Sequence, residues 1–149
     1  MKRNIKFLLL FSSALIILDQ LTKYIFTNKI INLVIFSINY IENKGIIFGL
    51  FQEEGMKIIL ATFVLILLLI LMTIQEKKYF YSFVFLLSGT LSNLIDRMLL
   101  GYVRDFIDFK IWPVFNLADS FIVVGVFLLI YLMIKEKGFK KIIKLNVFT

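Results

Sequence analysis

Four long apolar stretches, set apart by polar and charged residues, dominate the chain: about Ile5 to Phe26, Lys57 to Ile74, Tyr79 to Ile95 and Leu117 to Ile134. Each comes close to or exceeds the ~18–20 residues that a helix needs to cross about 30 Å of hydrocarbon. The pattern predicts an all-α integral membrane protein with four transmembrane helices, forming one domain over residues 1–149. The link from Gln75 to Lys78 is short, so the second and third helices form a tight hairpin. The links from Thr27 to Met56 and from Asp96 to Asn116 are longer and fall on the opposite side. In the first of these, Ile31 to Ile41 is rich in Ile, Val, Phe and Tyr but too short to span, and Asn32, Ser37 and Asn39 interrupt it. That composition predicts a small β element between helices 1 and 2. Gly45, Gly49 and Gly55 follow and predict turns, while Trp112-Pro113 sits where interfacial aromatic residues are favoured.

Charge orients the helices. Both termini and the short link together carry Lys2, Arg3, Lys6, Lys77, Lys78, Lys135, Lys137, Lys140, Lys141 and Lys144 against only Glu76 and Glu136. The other side is close to neutral, so the positive-inside rule predicts cytoplasmic termini and an extracytoplasmic β element. A basic N-terminus before Phe7 to Leu18 could also open a cleaved secretory signal. No small-x-small cleavage site follows, and Asp19, Gln20, Thr22 and Lys23 come instead, so an uncleaved first helix is expected.

Composition then narrows the chemistry. With 60% hydrophobic and 18% charged residues, the chain is too apolar for a soluble domain, and its net charge of +7 is spread between the spans rather than gathered for nucleic acid. It has no Cys and no His, which excludes disulfides, a thiol nucleophile, lipid modification of its own Cys, the usual zinc sites and a Ser-His-Asp triad. No metal and no cofactor is implied. Carboxylates, amides, hydroxyls, Lys and Arg remain.

An ionisable group in a spanning helix costs roughly 2.5–3.5 kcal/mol at the centre, so each one needs a physical reason. Asp19, Asp96, Asp105, Asp108 and Asp119 all fall in or near the outer interface. Asp19, Thr22 and Lys23 share a helix face, as do Asn93, Asp96 and Arg97, and Asn116, Asp119 and Ser120. Such faces turn inward, toward one another or a wet cavity. Structural roles account for each group singly. Asp19 with Lys23 reads equally as an internal ion pair, and Asp96 with Arg97 as a pair that holds helix 3 to the loops. Asn116 and Asp119 fit an N-cap and a first-turn acid, and Asp105 and Asp108 a solvated loop. Taken together, clustered carboxylates without His or Cys favour aspartic chemistry, in which two carboxyls share a proton, one activating water and one polarising a carbonyl. Glycoside hydrolysis would need a sugar cleft that these loops can hardly build.

The motifs resemble the type II, or lipoprotein, signal peptidases of bacteria. Five blocks carry the resemblance: Asp19-Gln20-Leu21-Thr22-Lys23, Asn43 to Gly49, Ser88 to Arg97, Gly101 to Asp108, and Pro113 to Ser120. The resemblance implies a membrane aspartic endopeptidase that removes the signal peptide from diacylglyceryl-modified prolipoproteins, cleaving just before the lipidated Cys. It implies Asp105 and Asp119 as the catalytic pair, from the Val-x-Asp-Phe and Asn-x-Ala-Asp blocks. It further implies Asn116 orienting the pair, Asn93, Asp96 and Arg97 bracing helix 3 and contacting substrate, Asp19 and Lys23 positioning helix 1, and Asn43 with Gly45 shaping the outer strand region. The expected partners are lipid-modified prolipoproteins and membrane lipids, with no nucleic acid. The expected location is the bacterial cytoplasmic (inner) membrane, with the active site toward the extracytoplasmic face and the chain acting as a monomer.

Two departures stand out. Ser88 and Ser92 replace Gly residues usual in the third block, which relaxes close helix packing, and Ile47 replaces the usual Ala before Phe. Two other classes compete. A proton-coupled transporter would place its acids near the midplane and show repeat symmetry, neither of which the sequence has. A non-catalytic membrane scaffold predicts that neutralising Asp105 or Asp119 leaves processing unchanged.

Overall fold

The computed structural model describes residues 2–32, 35–45 and 55–146. Helix α1 (Lys2–Phe26) leads into strands β1 (Ile30–Asn32) and β2 (Ser37–Asn43); then come α2 (Gly55–Gln75), α3 (Phe80–Leu100), strand β3 (Val103–Asp108) and α4 (Leu117–Asn146). Residues 46–49 of the second motif block, with the Ile47 departure and Gly49, lie outside the described residues, as do 33 and 34 of the predicted β segment. Gly55, read as part of a turn, opens α2 instead.

Among the described residues three helical stretches are long and apolar enough to cross a membrane, Lys6–Phe26, Lys77–Leu100 and Leu117–Glu136, and Ala61–Met72 of α2 is a shorter apolar stretch. Their surfaces invert the pattern of a water-soluble protein. Leu10, Leu65, Leu67, Val123, Phe127 and Ile134 are exposed, while Asp19, Lys23, Ser82, Ser88, Ser92, Asp96 and Asn116 are fully buried. Apolar side chains outside and polar ones inside are what a bilayer solvent requires, and of these seven polar residues all but Ser82 have a partner for the side chain. An apolar cluster of Ile66 and Leu69 from α2 with Phe83, Leu87 and Leu94 from α3 joins these two helices. Helix α3 is central: one face packs in that cluster, and Gly89 lets α4 approach so closely that an added Cβ would lie 2.3 Å from the Ala118 carbonyl oxygen. Ser88 and Ser92 are both fully buried, Ser88 Oγ donating to the Val84 carbonyl at 2.7 Å.

The β element is larger than the sequence pattern suggested. β1, β2 and β3 form one antiparallel sheet in that order, so the link between α3 and α4 supplies a strand to the pair between α1 and α2. Asp105 and Asp108, read as loop residues, lie in that third strand. Its burial does not alternate cleanly, because Asp105 and Phe106 are both buried, which hides it from a period-two reading. Gly101 ends α3 with a left-handed φ of 81°, its N–H bonded to the Arg97 carbonyl, and turns the chain directly into β3.

Candidate active site

The sheet and the N-terminus of α4 bring Asp105 and Asp119 together. Past β3 the chain doubles back: Phe106 and Ile107 N–H donate to the Phe115 carbonyl at 3.0 and 2.8 Å, and Phe115 N–H returns a bond to Ile107 at 3.1 Å. Phe109 stacks on Phe115 with ring centroids 5.8 Å apart. This fastening fixes Asn116, the residue that caps α4. Asn116 Oδ1 accepts from Asp119 N–H at 2.9 Å while Asp119 Oδ2 accepts from Asn116 N–H at 3.2 Å. The pair is a reciprocal capping box built from an amide and an acid. The capping role read from the sequence is thus present, and it also sets the acid's rotamer.

Asn116 joins the two acids. Its Nδ2 donates to Asp105 Oδ1 at 2.6 Å, and the other Asp105 oxygen accepts from Asn43 Nδ2 at 2.9 Å. Asn43 is opposite Val103 in the β2–β3 ladder, which makes it a diagonal neighbour of Asp105 on one face of the sheet. Asp119 Oδ1 accepts from Asn93 Nδ2 at 2.8 Å, and Asn93 Oδ1 in turn accepts from Lys23 Nζ at 2.8 Å. Asp105 is 2% exposed and Asp119 half-buried. Burial first, and the negative charge of Asp119 next, push the Asp105 carboxyl up to about 7; Asn43, Asn116 and Lys23 oppose the rise. A carboxyl so placed exchanges its proton near neutrality, as general acid–base work requires.

Beneath the pair is a second layer of charge. Lys23 Nζ meets Asp19 Oδ2 at 2.8 Å and Asp96 Oδ2 at 3.3 Å, with both partners fully buried, so the internal pair read from the sequence is real and has a third member. Asp19 Oδ1 also accepts from Ala118 N–H at 2.8 Å, which makes the first helix a cap for the fourth.

The Asp96–Arg97 pairing is corrected. Asp96 binds Arg104, whose Nη2 meets Oδ1 at 2.7 Å and whose Nε and backbone N reach Oδ2 at 3.2 and 3.0 Å. Adjacent helical residues point about 100° apart, and Arg97 leaves in another direction, donating to the Gly45 carbonyl at 3.1 Å. Gly45 N–H donates to Asn43 Oδ1 at 3.0 Å, so Arg97, Gly45 and Asn43 form one rim leading to Asp105. Asp108 stands apart, bound by Asn39 Nδ2 at 3.2 Å and Lys110 N–H at 2.7 Å. Of the five acids placed at the outer interface by the sequence, four converge.

Three participants were given no place in the site from the sequence: Gln20 and Arg104, and Ser92, which was read only as a replaced Gly. Gln20 Nε2 donates to Ser92 Oγ at 3.0 Å and Asp96 Oδ1 at 3.0 Å, and its Oε1 accepts from Arg104 Nη2 at 2.7 Å. Ser92 Oγ donates to Asp19 Oδ2 at 2.6 Å. The available signal was position: Gln20 adjoins Asp19, and Ser92 precedes Asp96 by one helical turn.

Fold and site together define a multi-pass membrane protein with a cluster of buried acids, amides and cations at one end of its helices. A family model for signal peptidase (SPase) II matches residues 11–135. The chain is 43% identical over 136 residues to a lipoprotein signal peptidase of Caldanaerobacter subterraneus subsp. tengcongensis, covering 84% of this chain and 94% of that one. It is 39% identical over 135 residues to a lipoprotein signal peptidase of Clostridioides difficile, covering 82% and 91%. A solved bacterial membrane enzyme, determined by the in meso method at 2.3 Å, superposes with a TM-score of 0.85 at 28% identity, covering 91% of this chain and 92% of that chain. The chain belongs to the signal peptidase II family, and so to the peptidases.

Proposed function

We propose that this protein is a membrane aspartic endopeptidase that removes the signal peptide from diacylglyceryl-modified prolipoproteins, cutting just before the lipidated Cys, with Asp105 and Asp119 as its catalytic pair. The observation that supports this reading is the single residue, Asn116, whose side-chain Nδ2 binds one oxygen of Asp105 and whose backbone N–H binds one of Asp119. Two acids held this way share a proton, because ionising both in a buried site is disfavoured. In the ionised–protonated form, the carboxylate takes a proton from water as its oxygen attacks the scissile carbonyl carbon. The protonated partner gives its proton to the carbonyl oxygen, which yields a neutral tetrahedral diol. Collapse breaks the C–N bond as the acid that took the water proton gives it to the leaving amine and the ionised partner takes one hydroxyl proton, leaving a carboxylic acid, an amine and a pair that again holds one proton. The two carboxyls titrate as a coupled pair, the charge of Asp119 helping to hold the proton on Asp105. Peptide hydrolysis at ordinary enzyme rates needs on the order of 14 kcal/mol of barrier reduction. Acid–base pairing and orientation by fixed amides are the effects that supply it here.

In this reading residues 1–149 form one domain with four spans, α2 included, both termini are cytoplasmic, and the sheet and acids lie toward the extracytoplasmic face of the inner membrane. The basic residues at both termini and the short α2–α3 link support that orientation. At the outer interface a substrate can keep its acyl chains in lipid while presenting its scissile bond to the acids, with Asn43, Gly45 and Arg97 along its path. The protein acts as a monomer without a cofactor.

The test is cleavage of a diacylglyceryl-modified prolipoprotein by the purified protein in lipid, beside folded Asp105→Asn and Asp119→Asn variants. Release of the signal peptide by the parent and by neither variant is the expected result. Cleavage by the variants at the parent's rate would overturn the assignment of the pair.

A further inference from the structure

The sheet alone does not fix Asp105. β3 is the edge strand of the sheet, paired along one side with β2 and bridged on the other to Phe115 through Phe106 and Ile107, and the β2–β3 register shifts between Ile38 and Ile41, directly beside Asp105. An irregular ladder at an edge is where a strand is freest to shift. Yet the acid rests on contacts that a displacement of 1 Å would break.

On the N-terminal side of Asp105, away from the Phe115 bridge, Arg104 supplies the restraint. As the strand neighbour of Asp105 it points to the opposite face, so it can grip without occupying the site. Its guanidinium and backbone N–H make three bonds to Asp96, its Nη2 reaches Gln20 Oε1, and its carbonyl oxygen accepts from Asn116 Nδ2 at 3.4 Å. Gln20 belongs to α1, Asp96 to α3, and Asn116 caps α4. Asp96 has no exposure, and Gln20 Nε2 is itself tied to the Ser92 carbonyl at 3.1 Å, so the anchors are rigid. The Asp96 bond in turn pushes the Arg104 guanidinium above its ordinary pKa, keeping it charged.

We propose that Arg104 is a positioning residue for Asp105, a planar fork that ties the strand carrying the reacting acid to α1 and α3 at once. The inference rests on the proposed peptidase reading, in which Asp105 reacts. It assigns Arg104 a role that a point charge cannot fill, because lysine has no fork to span both Asp96 oxygens and Gln20.

The experiment compares Arg104→Lys and Arg104→Met with the parent and with Asp105→Asn, using a diacylglyceryl-modified prolipoprotein in lipid and rates normalised to folded protein by thermal melting. Arg104→Lys keeps the charge beside Asp96, so it should melt close to the parent, while kcat falls on the order of tenfold to a hundredfold and KM changes by less than about twofold. Arg104→Met should lose at least as much kcat. Parent-like kcat per folded molecule in both Arg104 variants, with Asp105→Asn inert, would overturn the positioning role alone. Parent-like cleavage by Asp105→Asn would overturn the peptidase pair itself, and the inference with it.

Discussion

Replacing Asp105 by Asn should make the fold less sensitive to pH, by an amount the structure sets. In the parent, burial and the charge of Asp119 raise the Asp105 carboxyl from an ordinary 3.8 to about 7. The folded protein therefore holds this proton more tightly than the unfolded chain. Its contribution to stability is complete below about pH 4, falls as pH rises from there through about 7, and is level above. At 1.36 kcal/mol for each tenfold change in proton affinity, the loss over that window is about 4 kcal/mol. In a chain of this size that is on the order of 10 °C in melting temperature. Asp105→Asn removes the loss but adds a fixed penalty. Asn43 and Asn116 each aim an N–H at this side chain, and an amide can offer an oxygen to only one of them. The conflict costs about 1–3 kcal/mol at every pH. Melting both proteins in the same lipid from pH 4 to 8 should show the variant below the parent at the acid end, with the gap closing or reversing by pH 8. A gap that stays constant across the range would refute the reasoning, because the Asp105 carboxyl would then be ionising as it does in the unfolded chain.

Two further changes probe the scaffold. Lys23→Met strips Asp19 and Asp96 of a fully buried cation and should cost about 3–5 kcal/mol in a denaturation measured in detergent, with part of the loss recovered by adding Asp19→Asn; an unchanged midpoint would contradict this account of the cluster. Gly89→Ala places a methyl 2.3 Å from the Ala118 carbonyl oxygen and should lower stability by about 1–3 kcal/mol, shifting α4 and with it Asp119, so that cleavage falls as well. Full stability and activity in that variant would show that α3 and α4 need not touch there.

The helices were legible because a bilayer imposes both length and apolarity on them, and the charge-bearing faces of α1, α3 and α4 were legible because charge in such helices is rare enough to be informative. Helix ends were less so. The apolar span of the third helix reads as stopping at Ile95, with Asp96 and Arg97 at the helix end, but α3 continues to Leu100. Asp96 is tolerated inside it because Arg104 and Lys23 neutralise it from other elements, which a one-dimensional pattern does not contain. The third strand was hidden for a related reason: its inward position 105 holds an acid where an apolar residue would mark the period. Ser92 looked like a loss of packing space, while its hydroxyl is a working link between Gln20 and Asp19. The clustered acids and amides were legible by their types, and their partners only by their places.

The cap that Asp19 places on the N-terminus of α4 joins residues 99 positions apart. A chain emerging from the ribosome therefore makes the first half of this contact early and the second half only after α4 begins. Until the fourth helix has entered the bilayer, Asp19 lacks the Ala118 N–H, Asn93 lacks Asp119, and Asp105 lacks Asn116. The acids cannot reach their bonded arrangement in any shorter nascent chain. Membrane insertion of α4 thus works as a built-in timer, completing the cluster of acids and amides only once α1, α3 and α4 are together.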